Sequence, residues 1–122
     1  MTRLSHFVVF VSDMDRSVAF YRDVLGLPLR YPSPKWSEFA TEGVTLALHL
    51  ADTPDTTPHA HASMPAGHCQ FGLTVADLDA FHAEMTAKGV ACLQPPKSEA
   101  FGRLAIYTDP DGLPFSVTDS TH

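Results

Sequence analysis

The sequence predicts an α+β fold made of two tandem βαβββ units, and three observations carry that prediction. First, "FVVFVSDMDRSVAFYRDVLGLPL" from Phe7 falls on "FGLTVADLDAFHAEMTAKGVACL" from Phe71, an offset of 64. Second, "EGVTLALHL" falls on "DGLPFSVTD" with an offset of 69, which sets Gly43 on Gly112, Ala47 on Ser116 and His49 on Thr118. Third, the halves are separated by "ADTPDTTPHAHASMPA", rich in Pro, Thr and Ala, which reads as a connector. The expected organisation is therefore one domain, 1–122, with a first unit at 1–50, a connector at 51–66 and a second unit at 67–122.

Each unit opens on an alternating strand and runs into an acidic cap signal, Ser12/Asp13 in the first and Asp77 in the second. An amphipathic helix follows. Val18, Tyr21, Val24 and Leu25 recur at helical spacing in one half, and Leu78, Phe81, His82 and Met85 in the other. Both helices are expected to stop at a glycine, Gly26 and Gly89. Three further strands complete each unit, the last preceded in the second half by the turn Asp109-Pro110-Asp111-Gly112.

Side chains alternate across a strand, so each sheet has two faces. The greasy set is Phe7, Val9, Val11, Leu46, Leu48, Leu50, Cys69, Phe71, Leu73, Val75, Phe115 and Val117, expected beneath the helices. The opposite set contains His6, Val8, Phe10, Thr45, Ala47, His49, His68, Gln70, Gly72, Thr74, Ser116 and Thr118. That mixture is too polar for a second core and suits the lining of a groove, to which Trp36, Glu38 and Tyr107 are also assigned.

A chain of 122 residues can bury a core without staples. A net charge of −6 disfavours nucleic acid and anionic membrane as partners and mildly favours cationic or neutral ligands. Cys69 and Cys92 form no CxxC and are expected as buried thiols in a reducing cytoplasm. The apolar run near the N-terminus is too short to span a bilayer. No GxSxG, P-loop or GxGxxG occurs. His59 and His61 form an HxH, but within the connector they read as solvated residues.

The repeated βαβββ unit, the stretch "VSDMDRSVAFYRDVLGL" and the "DPDG" turn together resemble the vicinal oxygen chelate superfamily, which includes glyoxalase I, bleomycin-resistance proteins and extradiol dioxygenases. The resemblance covers nearly the whole chain and implies curled mixed sheets around a cavity, commonly within a homodimer. In metal-dependent members four ligands lie on the first and last strands of the two halves. Carried over, those positions are His6, Gln70, Ala47 and Ser116. One imidazole, one amide, one methyl and one hydroxyl give no anionic donor for a divalent ion, and no carboxylate for glyoxalase-type proton transfer. A shifted set, His6 with His49 or His68 and a carboxylate such as Glu38, is the alternative. Two residues along a strand span about 6.6 Å, a long displacement for such a site.

No cofactor and no catalytic residue is therefore expected. The leading expectation is a non-catalytic, homodimeric protein that sequesters a small aromatic or cationic molecule, such as an antibiotic, as bleomycin-resistance proteins do. The expected lining is His6, Phe10, Trp36, Glu38, Ala47, His49, His68, Gln70, Phe101, Tyr107 and Ser116. The alternative is a metal-dependent lyase, isomerase or dioxygenase that uses the shifted histidines.

Overall fold

The computed structural model describes residues 1–52, 66–100 and 102–119. Most of the 51–66 connector, including His59 and His61, lies outside the described residues, as does Phe101. The chain divides into two compact units, Met1–Thr56 and Thr57–His122. The first contains β1 (His6–Val11), α1 (Met14–Ala19), β2 (Leu29–Tyr31), β3 (Trp36–Phe39) and β4 (Thr45–Leu50). The second contains β5 (Phe71–Thr74), α2 (Leu78–Ala87), β6 (Cys92–Glu99), β7 (Gly102–Thr108) and β8 (Pro114–Thr118).

Each unit forms an open, four-stranded mixed sheet, in the orders β1-β4-β3-β2 and β5-β8-β7-β6. The first and last strands of each unit pair in parallel, β1 with β4 and β5 with β8, and the other pairings are antiparallel. A parallel pair needs a long crossover. The helix and the two intervening strands of each unit supply it.

The repeated cap signals act as the spacing predicts. Asp13 Oδ1 accepts the Arg16 N–H at 3.0 Å, and Asp77 Oδ1 accepts the Ala80 N–H at 3.0 Å. Each satisfies a helix N–H that has no partner within its own helix. Past α1 the coil widens to a π-turn over Phe20–Val24, closed by the Leu25 N–H on the Phe20 carbonyl. Gly26 (φ 78°) and Gly89 (φ 74°) then end the helical segments in the left-handed region.

The greasy faces pack as the alternation predicts. Val9, Val11, Leu46 and Leu48 are buried with Met14 and Tyr21 of the first unit. In the second unit Phe71 stacks on Phe115 (centroids 5.1 Å apart), and Tyr107 stacks on Phe115 (5.8 Å). Val117, Leu78 and Met85 are fully buried in the same layer.

Three expectations are corrected. Tyr107 belongs to the core, not to the groove: it is fully buried, its neighbour in register is Phe115, and its hydroxyl lies 2.9 Å from Nδ1 of His82 on α2. Both parities of Arg103-Leu104-Ala105-Ile106-Tyr107 contain apolar residues, so alternation alone could not orient β7. The salt bridge from Arg103 to Asp79 of α2 shows which parity faces the helix. Cys69 and Cys92 are exposed rather than buried, since β5 starts only at Phe71 and Cys92 stands at the outset of the edge strand β6.

The DPDG turn has a structural role. Oδ1 of buried Asp109 accepts the N–H groups of Asp111 (3.0 Å) and Leu113 (2.8 Å), while Gly112 takes φ 85°. This turn sets the start of β8 and therefore the alternation that follows.

Burial pushes the Tyr107 phenol up to about 12, with the nearby Cys92 adding to the shift. The folded chain therefore keeps a proton that the unfolded chain releases near pH 10. This contribution to stability is complete below pH 10 and is lost as pH rises towards 12. Thermal melts at pH 9 and pH 11 should show a fall in Tm for the wild type that is reduced in Tyr107→Phe. An equal fall in both would show that Tyr107 is not the group responsible.

Candidate ligand-binding face

The open face of the first sheet is built in rows. Register aligns Phe10 with His49 and His49 with Trp36, and, two residues along, Val8 with Ala47 and Ala47 with Glu38. A third row begins with His6 and Thr45. The first row is aromatic throughout: Phe10 and His49 rings lie 5.1 Å apart, and His49 and Trp36 rings 6.0 Å apart in an edge-on arrangement. These are separations at which rings attract through their edges and faces. Phe10 is 63% exposed, so the row presents apolar surface to solvent.

Trp36 does not stand straight off the sheet. Its indole N–H donates to Oε2 of Glu38 at 2.8 Å, and its ring lies 6.1 Å from that of His6. The indole thus extends along the sheet over the central row, where Ala47 is fully buried. Ala47 is part of the floor, not a surface a ligand could touch.

Glu38 is committed on both oxygens. Oε1 accepts from Arg30 at 2.7 Å, and the same Arg30 nitrogen donates to Thr45 Oγ1 at 2.9 Å. Arg30 reaches this face where the β2–β3 register shifts between Leu29 and Tyr31. Hydrogen bonds from Trp36 and then Arg30 hold the Glu38 carboxyl below the usual glutamate value, against a smaller opposing effect of burial. Arg30 was not among the expected lining residues. Its signal was a lone cation on a short strand preceding the groove residues, which is too common a pattern to single out.

The open face of the second sheet has a different character. Gly72, Ser116, Ile106 and Gln94 form one register row, and Thr74, Thr118, Leu104 and Lys97 the next. Leu104 and Ile106 take the positions that sequence reasoning gave to Tyr107. Ser116 lies on this face as expected, opposite Gly72, where a Cβ would come within 3.1 Å of its Oγ. His68 and Gln70 are exposed and precede β5 rather than belonging to it.

Of the positions that the resemblance matches to metal ligands, His6 and Ala47 in the first unit and Gln70 and Ser116 in the second, only His6 is an ordinary donor for a divalent ion. Ala47 offers no donor and is buried, its register neighbour Glu38 is neutralised by Arg30, and Gln70 and Ser116 carry no charge. Among the described residues no group of three His, Cys, Asp or Glu side chains is gathered closely enough to hold an ion. A cleft of about 700 Å³ does open on the helical side of the first sheet, between α1 and the β2–β3 connection. It contains none of the expected site residues. Its Asp13 caps α1 and its Arg22 is paired with Asp23.

A family model described as the Glyoxalase/Bleomycin resistance protein/Dioxygenase superfamily matches residues 3–117. The chain belongs to this superfamily. Among curated relatives, it is 29% identical over 120 residues to the metallothiol transferase FosB of Shouchella clausii (strain KSM-K16), covering 97% of this chain and 80% of the relative. Among solved structures, TnmS3, an antibiotic binding protein from Streptomyces sp. CB03234, is 29% identical with a TM-score of 0.74, covering 99% of this chain and 98% of that one. TioX from Micromonospora sp. ML1 shares the fold at 22% identity and a TM-score of 0.74, covering 96% and 98%. The chain is thus similar both to a protein named for antibiotic binding and to one named as a metallothiol transferase. Fold alone does not choose between them.

Because Trp36 is the only tryptophan, its emission reports on Glu38 directly. The carboxylate's contribution is complete above its ordinary value of 4.5 and is lost as pH falls through the lowered value. An emission step with its midpoint below pH 4.5 is expected, and it should vanish in Glu38→Gln. A step at or above 4.5, or one that persists in the variant, would contradict the pairing.

Proposed function

We propose that this protein binds and sequesters a small, flat aromatic molecule, an antibiotic, without transforming it. The row of Phe10, His49 and Trp36 across three strands carries this reading. Such a row offers stacking area with a few orienting polar groups, the composition that small-molecule sites use. The committed Glu38 shifts the preference from the cationic ligands that overall charge suggested towards neutral aromatic ones. Similarity to the antibiotic binding protein TnmS3 over nearly the whole chain supports the same class. His6, Phe10, Trp36 and His49 would make the contacts in the first unit. Ser116, Gln70 and His68 are proposed as contacts of the second unit taken by itself.

Pairing into a homodimer, in the cytoplasm, belongs to the same proposal. Each open sheet leaves edge strands, and Val8, Phe10 and Tyr31 leave large apolar side chains uncovered. The similarity to FosB favours a second reading, a metal-dependent enzyme in which His6 and His49, joined by a further donor, hold the ion.

Two measurements decide. Titration of aromatic antibiotics should quench Trp36 emission saturably, with Phe10→Ala weakening binding about tenfold or less, the scale of one lost ring contact with its burial. No response from any aromatic class would remove the proposal. Native mass spectrometry of untagged protein, expressed in metal-supplemented medium, should show a dimer without stoichiometric metal. One ion per chain, lost in both His6→Ala and His49→Ala, would instead establish the enzyme reading.

A further inference from the structure

The rings of the first row can stack on any flat molecule, so selectivity must come from the polar atoms among them. Most of those atoms are already engaged. The Trp36 N–H is given to Glu38, both Glu38 oxygens are taken, and Thr45 Oγ1 accepts from Arg30. His6 Nδ1 faces the Ser5 hydroxyl, which can either donate or accept, so the polarity of that ring is not fixed.

His49 differs. Its Nδ1 lies 2.7 Å from the main-chain carbonyl oxygen of Leu50. A carbonyl oxygen can only accept, so Nδ1 must carry the proton, and in the neutral ring Nε2 is left with a bare lone pair. Nε2 points away from Leu50 on the opposite side of the imidazole. It has no hydrogen-bond partner among the described residues, and it is not among their buried unpartnered atoms, so it is not sealed from solvent. It sits between Phe10 and Trp36 in the row of rings.

We infer that the ligand carries a hydroxyl or N–H donor on its aromatic edge, received by Nε2 of His49. The ligand class is then a phenol-like or N–H-bearing aromatic compound. A ring system bearing only ether or ketone oxygens would bring lone pair against lone pair and bind less well. The inference rests on the aromatic-binding reading above and sharpens it from flat molecules in general to donor-bearing ones.

The test uses 2-naphthol and 2-methylnaphthalene, which match in shape and differ by a hydroxyl in place of a methyl. Their affinities are measured by equilibrium dialysis against wild type, His49→Phe and Trp36→Leu, with circular dichroism to establish folding. The hydrocarbon partitions more strongly into any apolar site, so the quantity read is the change in the affinity ratio between proteins. His49→Phe keeps an aromatic ring and should shift that ratio against naphthol by about three- to tenfold, the scale of one neutral hydrogen bond. Trp36→Leu should weaken both probes and leave the ratio unchanged. An unchanged ratio in His49→Phe, with both probes still bound, overturns the inference while aromatic binding stands. Failure of both probes to bind wild type removes both.

A second measurement needs no variant. In the ¹⁵N spectrum of wild-type protein, His49 Nε2 should resonate as an unprotonated imidazole nitrogen and move on addition of 2-naphthol but not of 2-methylnaphthalene. A protonated Nε2 in the neutral ring would overturn the inference.

Discussion

The parallel pairing of β1 with β4 is the constraint on which the first unit's features depend. It fixes Phe10 beside His49 and Val8 beside Ala47, and the antiparallel β3 then sets Trp36 and Glu38 on the same rows. A slip of one residue would turn His49 and Ala47 to the helix side and expose Leu46 and Leu48. The buried layer of Val9, Val11, Leu46, Leu48 and Phe39 resists that slip, so the core that stabilises the unit is also what aligns the rings on its other face.

The electrostatics of that face follow from one short chain of contacts. Arg30 and the Trp36 indole occupy the two oxygens of Glu38, so a carboxylate that would otherwise attract cations or metal is neutralised within its own sheet. The same contacts hold the indole along the sheet, beside His6. The acidic balance of the whole chain says little about the charge on this face.

The second unit repeats the architecture with different side chains. Gly72 and Ser116 face each other where the first unit has Val8 and Ala47, and Leu104 and Ile106 stand in place of the larger groups of β3. Its large aromatics, Phe71, Phe115 and Tyr107, are stacked on the helix side. One unit thus presents rings on its open face and the other presents small and aliphatic groups, although both descend from the same βαβββ pattern.

The repeated units, the Asp13 and Asp77 caps, the glycine ends of the helices and the inward faces of β1, β4 and β8 were legible in the residue order. Each of these is a local requirement, an unpaired N–H to satisfy or a period to keep, and is written in neighbouring residues. The residue order also pointed to His6, Trp36, Glu38 and His49 as residues of one face. That Tyr107 turns to α2, that Ala47 is buried and that the Cys69 and Cys92 thiols are exposed emerged with the folded chain. The same holds for the capture of Glu38 by Arg30. These outcomes depend on which groups meet after the strands pair. Arg30 and Thr45 are fifteen residues apart, and His82 and Tyr107 twenty-five, distances over which no local pattern can choose a hydrogen-bond partner.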